Sequence, residues 1–498
     1  MDSNSIPLSL DQEQAFKTVS MILEGAGINF TTGKISNQIA ENKTVHALIG
    51  RAGSGKTALL SSITEKMLKV GVEIISSDFE VNKNKNKNKR TLSVLAPTNK
   101  AANILRMRGV PATTIHRILY TPVYDPDYEK IVEWLIGERD EKPSIEGISE
   151  ISLKRAWEFY SSNKSIPGAL AAAGLKGSDF ISGWKRREEP LDIGFIDESS
   201  MLDDDQLNDL KEIFSTLILF GDPAQLAPIS QSGQMVFDRF SPDKKSILSQ
   251  IHRQKSDNPI LKLSNVLLDP EINFTDFEMI IKKISTEDDR IVWAQRVDVD
   301  LMSRSPVLVW RNATRIRLIN AFRAVYNAPN DRLLEGEPLI CDGLELPLKH
   351  RKKRIDLEAR GLTKGANVIY LGPGKKTGFS RLFVVGSESP RLSAASIIKI
   401  ELPNEGQPFI PFAAKMGAIF LHGSAVTIHK AQGSQWENVQ VFAPDIYAAA
   451  QTKRVESDLP LWKRLAYVAI TRAQEKLYWV IRSRLSKPSV SLSTSDLK

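Results

Sequence analysis

The sequence predicts an α/β chain in which parallel sheets flanked by helices occur twice and are interrupted by two inserts. Two observations carry this. In the first third, short apolar runs that end in glycine or meet a turn residue alternate with segments whose apolar residues recur at helical spacing. That rhythm lapses after about residue 119, resumes near 191, lapses again near 333 and returns near 425. Strands joined through helices run parallel, because each helix carries the chain back to begin the next strand in the same direction.

Composition sets the outer limits. A chain of 498 residues suits about three or four domains. Apolar residues make up 42% and charged residues 25%, and 29 glycines with 25 prolines are too few for a collagen-like or disordered chain. The 67 Lys and Arg against 59 Asp and Glu leave +8, which permits a polyanionic partner without identifying one. The single cysteine, Cys341, excludes a disulfide framework and a cysteine zinc site and fits a reducing compartment. Residues 1–10 include the acidic Asp2 and no long apolar run, and nowhere do about 18 apolar residues follow one another. Neither a secretion signal nor a membrane span is expected, and the expected location is cytoplasmic.

Taken in order, residues 45–50 (VHALIG) read as a strand, then a glycine-rich turn, then a helix over 56–70. Strands follow at 91–96 (TLSVLA), 191–196 (LDIGFI) and 216–220 (TLILF). The tract NKNKNKNK at 82–89 can bury nothing and reads as a solvated loop, with contact to nucleic acid as the rival reading. Residues 119–190 read as an inserted subdomain, opening on the β-like ILYTPVY, passing through helical EKIVEWLIG and LKRAWEFY, and closing on FISGWKRREEP. The pattern restarts with a strand at 306–310 (PVLVW) and a helix over 314–325. Short strand-like runs such as NVIYLG and RLFVV predict a small β-rich module over 333–422, after which VQVFAP, WKRLAYVAITRA and LYWVIRS return to strand and helix.

The chemistry begins at GRAGSGKT, residues 50–57, which matches G-x-x-x-x-G-K-[ST] and lies between a strand and a helix as that loop requires. Gly50, Gly53 and Gly55 allow bare backbone and positive φ, so that consecutive N–H groups, with that of Ser54 among them, wrap phosphate oxygens at a helix N-terminus. Lys56 then reaches the β and γ phosphates, and the Thr57 hydroxyl binds Mg²⁺. Asp197 ends an apolar strand, where parallel sheets place their ligand sites, and supports the metal; Glu198 activates or positions water. Gln225, after the strand at 216–220, falls at the same sheet edge, where a γ-phosphate sensor would sit.

These runs, with LAPTNKAANIL, TTIHRIL, FIDESSML, LFGDPAQLAPI, LSQIHRQ, VTIHKAQGSQWENV and LAYVAITRAQEKL in order, resemble the motifs of superfamily 1 group B helicases of the RecD-like and phage Dda-like kind. From Gln12 to about Arg482 they span most of the chain; the likeness is poorest in 82–89, 119–190 and the β-rich module. The resemblance implies two RecA-like motor domains, at 1–118 with 191–245 and at 246–332 with 423–498, a pin-type insert at 119–190 and an SH3-like module at 333–422. It implies ATP and Mg²⁺ between the motors and single-stranded DNA across them. Gln12 then resembles the adenine-reading glutamine, and Arg253 and Arg472 the two arginines that approach the γ-phosphate. Gln435 stands where other members often carry Glu, which leaves a ribose contact there open. Thr98, Asn99, Thr114, His116, Thr427 and His429 match positions that face the strand, with buried, satisfied histidines or loop braces as the alternative reading of His116 and His429.

In the pin-type insert, Tyr120, Tyr124 and Trp184 are candidates to stack on bases, with core packing as the alternative, and Lys185, Arg186 and Arg187 either follow a backbone or form a solvated face. The cluster at 349–354 (KHRKKR) admits a DNA-tracking loop, a nuclear-localisation-like segment or a plain solvated loop. The function so implied is an ATP-dependent helicase moving 5′ to 3′ on single-stranded DNA, acting as a monomer on single strands and forks, with a single-strand-binding or replication protein as a partner and replication, repair and recombination as its setting. Two other readings stand beside it: an ATPase that displaces proteins from DNA without unwinding, and a non-catalytic binding subunit. Lys56, Thr57, Asp197, Glu198, Arg253 and Arg472 together argue against the last.

Overall fold

In a computed structural model of the chain, the described residues are 8–36, 42–75, 90–124, 126–163, 169–170, 172–174, 181–188, 190–228, 234–250, 258–345, 356–358, 360–387, 389–401, 417–495 and 497. They form two units: Met1–Ile118 with Glu188–Ala328 and Gly423–Leu492, and Leu119–Arg187 with Pro329–His422 and Ser493–Lys498.

The first unit holds two parallel sheets. Helix α1 (Leu10–Gly25) opens it on a capping box in which Ser9 and Gln12 satisfy each other's backbone N–H groups. Strand β1 (Thr44–Gly50) runs into the glycine loop and helix α2 (Lys56–Lys69). Then come β2 (Glu73–Ile74), β3 (Thr91–Ala96), helix α3 (Asn99–Met107), β4 (Ala112–Thr114), β5 (Leu191–Ile196), β6 (Phe214–Gly221) and β7 (Lys245–Leu248). The sheet order is β7-β1-β6-β5-β3-β2, with β4 also on β3, and every pairing is parallel. The strands are nearly continuous apolar runs because helices cover both faces. Ile193, Phe195, Ile218 and Phe220 meet Leu59, Leu60 and Ile63 of α2 in a core that excludes water. Just before β3, Arg90 makes a buried two-point pair with Asp192 of β5, 2.6 Å and 2.8 Å, which pins the strands in register.

The second sheet is built from β8 (Ile291–Ala294), β9 (Val307–Val309), β10 (Ala425–Thr427), β11 (Trp436–Phe442) and β12 (Ala473–Val480), ordered β8-β12-β11-β9-β10, again all parallel. Helix α4 (Ile428–Ala431) follows β10, and helix α5 (Leu461–Ile470) precedes β12. All ten residues of α5 are buried, Lys463 and Arg464 among them. Where VQVFAP suggests a strand to Pro444, the chain turns helical at Ala443–Gln451, because proline suits the first helical turn, where its missing N–H costs nothing.

In the second unit, Tyr120–Tyr124 pairs antiparallel with Ile181–Arg186, from Tyr120↔Arg186 to Tyr124↔Ile181. Between the arms lie helices Pro126–Ile136 and Glu150–Asn163, whose Ile131, Leu135, Leu153 and Ala156 make a small core of their own. The β-rich segment closes into a five-stranded barrel from Pro338–Glu345, Asn367–Pro373, Phe379–Val384, Arg391–Lys399 and Gly417–His422. Cys341 is buried in its core, which pushes its thiol up to about 12 and makes it an inert apolar filler. The buried Glu337 accepts from Leu334 N–H at 2.6 Å and pairs with His422 at 2.9 Å.

Candidate nucleotide and nucleic-acid site

The glycine loop lies at the C-terminal end of β1, beside the ends of β5 and β6, where an open parallel sheet places its ligands. Gly53 and Gly55 adopt φ 86° and 81°. At Gly50 a Cβ would strike Ser54 Oγ and lie 2.9 Å from Leu248 Cβ, so only glycine fits. Gly55 is the N-cap of α2 and provides no side-chain cap. Ser54 Oγ is buried and lacks a hydrogen-bond partner. Uncapped helix N–H groups and a buried orphan hydroxyl are the groups a phosphate satisfies, so the loop fits a nucleotide phosphate. Lys56 Nζ donates to the Gly50 and Arg51 carbonyls, at 2.5 Å and 3.0 Å, and would exchange these for phosphate oxygens.

Gln12 joins α1 to this loop: its Nε2 donates to the Ser54 carbonyl at 3.1 Å while its Oε1 accepts from Ser9 N–H at 3.0 Å. Both ends of the amide are engaged, so reading adenine requires sharing one of them.

Asp197 extends the sheet, its N–H donating to Leu95 O at 2.9 Å. Burial, and then the adjacent Glu198 carboxylate, push its carboxyl up to about 7, with Lys56 pulling in the opposite direction. Such a carboxylate gains from a cation. Among the described residues no group of three or more His, Cys, Asp or Glu could hold a metal. A site made of Thr57 and Asp197 leaves the remaining positions to phosphate oxygens and water, which is how Mg²⁺ is usually held. Glu198 has φ 50° and ψ 37°, a left-handed conformation costly for a residue with a Cβ. Gln225 Nε2 donates to Glu198 Oε2 at 3.1 Å, and Ser200 Oγ is 3.4 Å from Gln225 Oε1.

The second sheet brings Arg472 to the same place. It is buried, with Nε donating to Val468 O at 3.0 Å and its other nitrogens to Ser434 O at 3.2 Å and Thr471 Oγ1 at 3.0 Å. Burial lowers its pKa, and Glu198 is the foremost charge that opposes this. Gln435 Oε1 accepts from Gln474 Nε2 at 3.3 Å. Arg253 lies outside the described residues, as do 82–89 and 349–354 and the side chains of Tyr124, Trp184 and Lys185.

Four residues at this site escaped the sequence reading. Arg464 donates to Pro223 O at 2.7 Å and Gln225 O at 2.6 Å. Tyr467 Oη donates to Asp222 Oδ2 at 2.8 Å and accepts from Ala52 N–H at 2.9 Å. Burial raises the pKa of Asp222, and burial, then Asp222 itself, raises that of Tyr467. Lys100 lies over the Trp436 ring, 5.2 Å from its centroid, and burial followed by the nearby Arg472 charge brings its ammonium down to about 8. The only trace in sequence is position: Lys100, Asp222 and Tyr467 fall inside motif runs, and 464 and 467 share a helix face.

The groups expected to face a nucleic acid divide by element. Thr98 caps α3, accepting from Ala101 N–H at 3.1 Å, and Asn99 is the first residue of that helix. Thr427 occupies the N-cap of α4 without its side chain capping the helix. Gly433 comes close to Thr98 Oγ1, since a Cβ there would stand 3.8 Å away. Thr98 and the segment after α4 are thus neighbours. Thr114 is buried at the end of β4, and His116 is exposed on the short helix Ile115–Leu119. Partial desolvation lowers the pKa of His116, and burial lowers that of His429, with Arg454 adding to it there. Tyr120, Arg186 and Arg187 are half-buried.

A family model described as an AAA domain matches residues 34–273, and one described as the UvrD-like helicase C-terminal domain matches 422–480. No curated protein sequence matches the chain. Among solved structures, Bacteroides Pif1 bound to ssDNA aligns at 14% identity and a TM-score of 0.45, covering 95% of this chain and 92% of that one. Pif1 helicase from Bacteroides in complex with ADP-AlF3 and ssDNA aligns at 14% and 0.46 over the same shares. Pif1 helicase from Candida albicans aligns at 16% and 0.43, covering 96% of each chain.

Proposed function

We propose that this chain, a helicase of superfamily 1 group B, couples ATP hydrolysis at the edge of its first sheet to 5′ to 3′ movement along single-stranded DNA and to the opening of forked duplexes. The observation that carries the reading is the strained Glu198, held by Gln225 beside the glycine loop while the Arg472 charge of the second sheet lies near it. A carboxylate fixed by an amide is poised to orient water and take its proton. A guanidinium brought in by the other motor stabilises charge developing on the phosphoryl oxygens.

In this reading the motor domains are 1–118 with 191–245 and 246–332 with 423–498, and the inserts are 119–190 and 333–422. Gly50, Gly53, Ser54, Gly55 and Lys56 hold the phosphates, Gln12 reads the base, and Gln435 lies toward the ribose. Thr57 and Asp197 hold Mg²⁺, which when bound neutralises phosphate charge. Arg253 joins Arg472 as the second arginine. Thr98, Asn99, Thr114, His116, Thr427 and His429 grip the strand through its phosphates, which fixes register without reading sequence. Closure and reopening of the motors alternate that grip and give stepwise movement.

The deciding experiment is unwinding of DNA and RNA duplexes carrying a 5′ or a 3′ single-stranded tail. Opening of 5′-tailed DNA alone is expected. Opening from a 3′ tail reverses the polarity, and ATP hydrolysis with no opening of any duplex leaves a protein-displacing translocase.

A further inference from the structure

The turn that presents Gln225 is held by a helix of the opposite motor. Arg464 donates to the Pro223 and Gln225 carbonyls from one turn of α5, and Tyr467, three residues on, donates to Asp222 Oδ2. Asp222 shapes that turn itself, since its Oδ1 accepts from Ala224 N–H at 3.0 Å and its carbonyl from Gln225 N–H at 3.2 Å. The Tyr467 hydroxyl also takes the N–H of Ala52 in the glycine loop. One oxygen therefore ties α5 to both halves of the nucleotide site. It makes both bonds only while α5 lies against the loop and the turn together.

Helix α5 also packs against α4, whose N-cap is Thr427 and which carries His429. A contiguous path thus runs from a strand-facing element through α4 and α5 to the Asp222–Gln225 turn, and on to Glu198 Oε2. We propose that Tyr467 is a positioning residue that transmits occupation of the DNA path to the Glu198–Gln225 pair, so that hydrolysis accelerates when DNA is bound. The inference rests on the reading of the chain as a DNA-stimulated ATPase. Its physical basis is that displacing α5 breaks two buried hydrogen bonds at once, which makes the joint a two-position element rather than a continuously yielding one.

The test compares ATP turnover by the full chain with and without saturating oligo(dT), for wild type, Tyr467→Phe, Asp222→Ala and the double variant. Phenylalanine keeps the ring packing and removes only the hydroxyl. The ratio of DNA-stimulated to basal kcat is expected to fall about tenfold in Tyr467→Phe, the size of losing a hydrogen bond to a charged group. KM for ATP should change less than about twofold, and the double variant should be no worse than Asp222→Ala alone, since both remove the same link. A merely structural role would lower the melting temperature and both rates in proportion, leaving the ratio intact, and that result overturns the proposal. So does additivity of the two substitutions. A wild type that hydrolyses ATP at one rate with and without DNA removes the underlying reading and this inference with it, a result distinct from a stimulated wild type matched by its variant.

Discussion

Gln225 Nε2 donates to Glu198 Oε2 at 3.1 Å, so the side chain of one strand end fixes the carboxylate of the next. Removing the carboxylate as Glu198→Gln should lower the single-turnover hydrolysis rate by about 10² to 10⁴ while nucleotide binding persists, the range for loss of a general base. Removing its support as Gln225→Ala should cost about tenfold. Equal losses in the two variants would mean that Gln225 itself meets the reacting groups.

Lys56→Ala should abolish hydrolysis and leave oligo(dT) binding, followed by fluorescence anisotropy, within about twofold, because it removes the phosphate contact and nothing on the strand path. DNA-stimulated turnover at the wild-type rate would sink the phosphate assignment.

Arg472 spends its guanidinium on the carbonyls of Val468 and Ser434 and on Thr471. Arg472→Ala should therefore act twice. It should lower kcat far more than nucleotide affinity, and it should reduce stability in urea by about 1 to 3 kcal/mol through the loss of its buried hydrogen bonds. An unchanged kcat removes Arg472 from the catalytic set.

Lys100 supplies a pH test. Its ammonium is brought down to about 8, against an ordinary lysine value of 10.5. Between those values the unfolded chain binds the proton that the folded chain has released, so this group makes stability rise with pH across that window. Below about 8 both states carry the charge and the cost of burying it is felt in full. Lys100→Met should accordingly raise the melting temperature relative to wild type at pH 7, and the advantage should shrink as pH approaches 10. A difference independent of pH would show that the ammonium is well solvated.

In the barrel, Glu337→Ala deprives both His422 and the Leu334 N–H of their acceptor. A loss of about 1 to 3 kcal/mol in chemical denaturation is expected, and a neutral substitution would mean that water replaces the carboxylate.

Strands proved legible where a single force determines them. Thr91–Ala96 and Leu191–Ile196 begin and end where their mainly apolar runs do, because both faces of these strands are buried. The glycine loop was legible because its backbone geometry restricts residue type directly. Arg464, Tyr467 and Lys100 were not: nothing local distinguishes a cationic or aromatic helix residue that meets solvent from one that meets a carbonyl of another sheet. Pro444 misled for the opposite reason. A proline after an apolar run reads equally as a strand's end or a helix's first turn, and the helix is chosen by what lies beyond it.

The barrel's first and last strands, Pro338–Glu345 and Gly417–His422, lie side by side with Leu339 opposite His422. The polypeptide therefore enters and leaves the barrel on neighbouring strands. Eighty or so residues are hung on the chain at almost no cost in span, so a short glycine linker in their place should close the same gap.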